Sequence, residues 1–152
     1  MLIRKFAATD LEVCIELGSM MHQESVFRNQ PFSRDRLALL AHLCLTNPDY
    51  ICFVAERHGQ VIGLMVGISG YNFFADSKYA ADLALYVAPQ HRGSTAAVRL
   101  IIEFSKWAEA AGCNEMRCGV TTGINDELGG KIYRRFGFVD GGSLYVKQIS
   151  PL

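Results

Sequence analysis

No surplus of basic residues marks this 152-residue sequence: 15 lysines and arginines are balanced by 15 aspartates and glutamates. Sequence-independent binding to nucleic acid draws its affinity from neutralising phosphates, so bulk nucleic-acid binding is not expected. No apolar run approaches the roughly 20 residues that span a bilayer. The opening Met1-Leu2-Ile3-Arg4-Lys5-Phe6 has no apolar leader core before a small-residue cleavage site. The expectation is a cytoplasmic chain without a membrane partner. The five cysteines, Cys14, Cys44, Cys52, Cys113 and Cys118, include no C-x-x-C pair, which argues against a metal site and a redox pair. A G-x-x-x-x-G-K-[ST] phosphate loop is missing too, which disfavours a nucleotide switch. Nor does any repeat, low-complexity tract or Pro/Ser-rich linker interrupt the chain, so residues 1–152 are expected to form a single domain.

What is present is a chain half hydrophobic and one-fifth charged, enough for a sizeable core. Leu2 to Phe6 reads as a strand. Thr9-Asp10-Leu11-Glu12 fits a capping box opening a helix that ends near Met20-Met21. A polar stretch from His22 to Pro31 leads to Ser33, the next N-cap, and Leu37, Leu40, Ala41 and Leu45 then recur at helical spacing. Asn47-Pro48-Asp49 ends that helix. Ile51 to Glu56 and Val61 to about Tyr71 read as strands joined by His58-Gly59, a hairpin signal.

Leu83 to Val87 is a further strand, closed by Pro89. A helix from Thr95 to Ala111 follows, with Leu100, Phe104, Trp107 and Ala111 on one stripe and Gly112 as its stop. Met116 to Val120 reads as a strand, Asp126 to Phe136 as a helix ended by Gly137, and Phe138 to Lys147 as one or two last strands. The order β-α-α-β-β-β-α-β-α-β predicts a mixed α/β domain with antiparallel hairpins and one parallel crossover. Two adjacent parallel strands that enter helices from the same edge leave a crevice suited to a ligand.

The densest chemical signal lies at that crossover. After Leu85-Tyr86-Val87 comes a loop of small residues, Arg92-Gly93-Ser94-Thr95-Ala96-Ala97, and at once a helix. Unpaired N–H groups at a helix N-terminus, with the positive end of its dipole, attract anions. The small side chains let a pyrophosphate approach the main chain, and Arg92 adds a positive charge. His91 borders the loop as either a phosphate contact or a solvated residue. A second segment, Asn125-Asp126-Glu127-Leu128-Gly129-Gly130-Lys131-Ile132-Tyr133-Arg134-Arg135-Phe136-Gly137-Phe138, carries a tyrosine on a short helix and then Gly-Phe.

Together these segments resemble the GNAT acetyltransferases. Their pyrophosphate loop reads Q/R-x-x-G-x-G/A, and a later helix ends in Y-x-x-x-G-F. Tyr133 to Phe138 matches the latter in full. The loop matches best from Arg92, with Thr95 at the inner glycine position and Ala97 at the outer one. The resemblance implies the GNAT fold: a central mixed, mostly antiparallel sheet flanked by helices, with an acyl-CoA crevice between two parallel strands.

It also implies acetyl-CoA as cosubstrate, no metal, and direct attack of an acceptor amine of a small molecule or a protein on the thioester. Leu85, Tyr86 and Val87 would hold the pantetheine arm through their backbone, so the Tyr86 hydroxyl is expected to be dispensable. Arg92, Gly93, Ser94, Thr95, Ala96 and Ala97 would hold the pyrophosphate, with Asn125 and Tyr133 completing the cofactor contacts. Tyr133 would protonate the departing thiolate. Asp82, at the head of the strand leading to the loop, is the carboxylate best placed as base. His22 and Glu24 lie on the acceptor side as alternative bases or substrate contacts, and Phe73-Phe74 either wall the acceptor or pack the core.

Cys118 has no histidine at a suggestive position to activate it as a nucleophile. The family often forms dimers, which makes a homodimer a candidate assembly. The competing reading is an acyl-CoA-binding GNAT-like domain with little catalysis, acting through a partner protein. Thr95 at a glycine position, and no obvious glutamate base, are what favour it.

Overall fold

The computed structural model describes residues 1–151. Strand β1 (Leu2–Lys5) leads through a single 3-10 turn to helices α1 (Leu11–Glu24) and α2 (Arg34–Thr46). Strands β2 (Tyr50–Arg57), β3 (Gln60–Tyr71) and β4 (Lys78–Val87) follow, then α3 (Ala96–Ala110), β5 (Glu115–Arg117) and α4 (Asp126–Arg135). The sheet runs in chain order, β1 to β5. Its first three pairings are antiparallel and only β4–β5 is parallel. The fold is the mixed α/β arrangement expected of a GNAT protein.

Local chemistry accounts for most of the boundaries. The β2–β3 turn is made by His58 and Gly59, both with positive φ (52° and 76°), the geometry that matches the twist of a two-residue hairpin. Ser33 caps α2, its Oγ accepting the Arg36 N–H at 3.2 Å. Gly112, at φ 76°, stops α3.

The start of α1 differs from the expected capping box at Thr9. Residues Ala8–Asp10 form the 3-10 turn, and the buried Asp10 carboxylate accepts the Ala7 N–H at 2.8 Å. Arg4 grips both oxygens of that carboxylate, at 2.7 and 2.9 Å. A bidentate, charge-assisted contact outweighs a threonine cap, so the α-helix begins one residue later, at Leu11. At its other end α1 runs past Met20-Met21, which puts His22 and Glu24 on its last turn rather than in a loop.

Both faces of the sheet are covered. Ile51, Phe53 and Ala55 of β2 pack with Leu100, Ile101 and Phe104 of α3. Cys52 and Val54, pointing the other way, pack with Phe6, Leu17 and Leu64 beneath α1. On α3 the buried stripe ends on Ala108, not Ala111, and Trp107 is half-buried, stacked on Phe104 at 5.5 Å. Gly67 lies under that ring: a Cβ there would fall 2.2 Å from Phe104 Cε2.

Two expectations fail near the C-terminus. β5 covers Glu115–Arg117 rather than Met116 to Val120, because its partner β4 accompanies it only from Tyr79 to Ala81. No strand forms from Phe138 to Lys147. A strand needs a continuous edge to pair with, and a three-residue β5 offers little. Gly141-Gly142, the second at φ 130°, further breaks extended geometry. Leu144, Tyr145, Val146 and Ile149 are left exposed. Phe73 and Phe74 also stay out of the core, meeting edge-to-face in the β3–β4 turn with 95% and 76% of their surfaces exposed.

Candidate active site at the parting of two parallel strands

The parallel pair holds from Tyr79↔Glu115 to Ala81↔Arg117 and then opens. At that point β4 carries a bulge. Gly67 faces Asp82 and Val66 faces Ala84, which leaves Leu83 as an extra residue. A bulge bends its strand and increases the local twist, which turns β4 away from β5. Beyond the fork lies a cleft of about 1720 Å³. Asp82 to Leu85 form one wall, Cys118 to Thr122 the other, and Tyr133 of α4 the floor.

Asp82 occupies the fork itself. Its Oδ1 accepts the Gly119 N–H at 2.9 Å, and its Oδ2 accepts the Tyr133 hydroxyl at 3.2 Å. The two residues named from sequence as base and acid therefore touch. Burial raises the Asp82 carboxyl above its ordinary value, and the two donated hydrogen bonds only partly offset that. Burial, with the neighbouring Asp82 charge, drives the buried Tyr133 phenol well above its usual 10. This makes Tyr133 a weaker proton donor than a free phenol. Cys118 stands beside the pair, and burial foremost, then Asp82, pushes its thiol up to about 12. A thiol so placed stays protonated and is a poor nucleophile.

The small-residue loop follows β4 as expected. A 3-10 turn at Pro89–His91 leads into Arg92–Thr95, and Gly93 alone there takes positive φ, 80°. Ser94 Oγ accepts the Ala96 N–H at 3.3 Å. Among the described residues, the amides of Gly93, Ser94, Thr95 and Ala97 have no acceptor. Thr95 is exposed and sits at an unremarkable φ of −79°, so its Cβ neither strains nor crowds the loop backbone. Asn125 immediately precedes α4 at φ 53° without a side-chain cap bond.

Arg92 does not extend freely into this loop. Its Nε donates to the Val87 carbonyl at 3.0 Å, and its head meets Glu24 at 2.9 Å and lies 5.3 Å from the centre of the Tyr86 ring. The Tyr86 hydroxyl donates to the same Glu24 carboxylate. Partial burial raises the Glu24 carboxyl, but Tyr86 and Arg92 outweigh it and hold it below the ordinary value. Burial and then Glu24 push the Tyr86 phenol up to about 12. The side chain of Tyr86 is thus engaged, where the sequence pointed only to its backbone. His22, by contrast, bonds the Gln30 carbonyl at 2.8 Å and tilts against Phe32.

The profile of the Acetyltransferase (GNAT) family matches residues 17–138, a span that runs from α1 through Tyr133 to the Gly-Phe after α4. The chain belongs to this family of acetyltransferases. Similar folds occur in AAC(6')-Iy, solved with the bisubstrate analogue CoA-S-monomethyl-acetylneamine, at 22% identity and TM-score 0.77 over 98% of this chain and 97% of that one. The aminoglycoside 6'-N-acetyltransferase AAC(6')-IG from Acinetobacter haemolyticus superposes at 19% identity and TM-score 0.74, covering 99% and 100%. A ribosomal-protein-alanine N-acetyltransferase from Brucella melitensis does so at 18% and 0.73, covering 98% and 100%. At such identities the likeness is one of fold. No curated protein matches the chain.

As a GNAT acetyltransferase the chain carries two features that its sequence alone did not disclose. Gly119 holds Asp82 through a backbone amide, which leaves no trace in residue identity. Glu24, Tyr86 and Arg92 converge from three separate elements, 62 and 68 residues apart. Among the described residues no group of three His, Cys, Asp or Glu side chains could hold a metal ion, and no helix is long and apolar enough to cross a membrane.

Proposed function

We propose that the protein transfers the acetyl group of acetyl-CoA to a primary amine of a small molecule or a protein, by direct attack of the amine on the thioester. What carries the reading is the Tyr133–Asp82 contact at the mouth of the opened strands. Two features support acetyl-CoA as the donor: β4 runs on unaccompanied by β5 beyond Ala81, and the loop after it presents unpartnered amides. The backbone of Leu85 to Val87 can bind the pantetheine amides, as a missing neighbouring strand would. The amides of Gly93 to Ala97 can bind the pyrophosphate.

Asp82 takes the proton that the attacking amine loses. Its raised affinity for protons makes it a stronger base than an exposed carboxylate. Tyr133 donates its proton to the departing thiolate. A thiol has a pKa of about 8.5 and a free phenol about 10, so this transfer is uphill, and the raised value at Tyr133 makes it more so. The hydrogen bond between the two residues supplies the compensation. The proton gained by Asp82 moves along it to the Tyr133 oxygen, so the phenolate never persists. One proton leaves the amine, one reaches the thiol, and both side chains return to their starting states. The test is thiol release from acetyl-CoA with a panel of amines, alongside calorimetric titration with acetyl-CoA. Binding with no amine acetylated would leave only the reading of an acyl-CoA-binding domain.

A further inference from the structure

A second cavity of about 280 Å³ lies on the opposite side of β4, between α1, α2 and the sheet. No Asp, Glu, Lys or Arg lines it. Its walls are mostly apolar side chains such as Leu17, Met21, Leu37, Leu40 and Val66, with His22, Ser25 and Tyr86 the polar ones. Helix α2 contributes Leu37, Leu40, Ala41 and Cys44 to the roof, each of them only partly buried. The cavity is half-open to solvent, so a small apolar group can enter it.

The chamber and the cleft share a wall at one place. Met21, Leu83 and Ala84 line both cavities. This follows from the bulge: with two β4 residues opposite one of β3, Leu83 and Ala84 border both spaces. A molecule seated in the chamber lies against the β4 residues that directly follow Asp82, the carboxylate at the fork. Near the same side stands Glu24, held by Tyr86, whose ring lines the chamber. That carboxylate is already paired with Arg92, which leaves Asp82 as the carboxylate for an amine.

From this geometry, and resting on the transferase reading above, we infer that the acceptor is a primary amine carrying one compact apolar group. That group fills the α1–α2 chamber while the amine reaches the fork. A polycationic acceptor is unsuited, since its further charges would enter a chamber without a carboxylate.

The test compares methylamine, isobutylamine, benzylamine and neamine by kcat/KM in thiol release from acetyl-CoA. Each buried methylene contributes about fourfold, so benzylamine should exceed methylamine by at least about tenfold. Ala41→Phe, which puts a ring into the chamber, should reduce that preference to about threefold or less. Cys44→Leu should reduce it partially. Unchanged acetyl-CoA affinity in each variant verifies the fold, since neither residue lines the cofactor cleft.

Equal kcat/KM for methylamine and benzylamine overturns the inference, as does a preference for neamine. Preference for octanoyl-CoA over acetyl-CoA, abolished by Ala41→Phe, also overturns it by assigning the chamber to the donor. Saturation-transfer NMR of benzylamine separates this inference from the transferase reading. Benzylamine binding that Ala41→Phe abolishes, without any turnover, upholds the chamber and removes the transferase reading. Acetyl transfer to other amines without benzylamine binding does the reverse.

Discussion

Tyr133 gives its hydroxyl hydrogen to Asp82 across 3.2 Å, although the two residues are 51 positions apart in the chain. The contact ties α4 to β4 at the point where β4 and β5 part. It makes the acid and the base of the proposed reaction one proton-conducting unit.

Tyr133→Phe keeps the ring that tilts against Phe138 at 5.1 Å and removes only the hydroxyl. Turnover should fall by about 10²–10⁴-fold, the usual contribution of a positioned proton donor. Acetyl-CoA affinity should change little, because one neutral hydrogen bond contributes about 1 kcal/mol. Single-turnover acetyl transfer and calorimetry measure the two separately. Wild-type turnover in the variant would remove Tyr133 from the mechanism.

Asp82→Asn tests the base through pH as well as rate. The active form is the carboxylate, so wild-type kcat/KM should fall as pH drops through a value above the ordinary carboxylate pKa. The variant should be slow at every pH and lack that acidic limb. Stability should move the other way. Because burial raises the native pKa, the folded state holds this proton more tightly than the unfolded chain does. Asp82 therefore costs stability as pH rises from the ordinary carboxylate value through the raised one. The asparagine variant should melt at a higher temperature than wild type at pH 7, with the gap closing in acid. A lower melting temperature at pH 7 would contradict the burial argument.

Gly93 should be sensitive to substitution and Thr95 tolerant of it. A Cβ on Gly93 meets nothing within 4 Å, so Gly93→Ala acts only through its φ of 80°. A left-handed conformation costs an L-residue about 1–2 kcal/mol, which should shift the loop and weaken acetyl-CoA binding by about tenfold. Thr95→Gly should leave affinity within about twofold, since Thr95 is exposed at an ordinary φ. Calorimetric titration of both variants decides it. A loss of tenfold or more at Thr95→Gly would show that the hydroxyl itself contacts the phosphate.

Tyr86→Phe should not be silent. It takes from Glu24 one of two donors, leaving Arg92 alone on the carboxylate. The lost hydrogen bond to a charged acceptor should cost about 1.5–3 kcal/mol of stability, less whatever solvent restores at this partly exposed group. Glu24→Gln combined with Tyr86→Phe should show non-additivity in urea unfolding. Strict additivity would mean that the trio is not coupled.

Much of this molecule could be read along the chain, because much of it rests on local rules. The His58-Gly59 turn, the Ser33 cap and the Gly112 stop each depend on neighbouring residues, and all three appear where expected. Arg92 to Ala97 and Tyr133 were legible because a phosphate loop and a Y-x-x-x-G-F helix are contiguous patterns. The failures share a different cause. Thr9 lost its capping role to a carboxylate gripped from β1, and Phe138 to Lys147 stayed unpaired because a strand exists only beside a partner. Asp82 was read as the head of a strand beginning at Leu83, but β4 starts at Lys78 and Asp82 sits mid-strand at the bulge, where its bonds to Tyr133 and Gly119 and its raised pKa arise only when three elements meet. The turning of Arg92 towards Glu24, and the apolar chamber behind the Leu83 bulge, likewise belong to the assembled sheet. Contacts between residues dozens of positions apart, and the burial that they create, are properties of packing, and no local pattern encodes them.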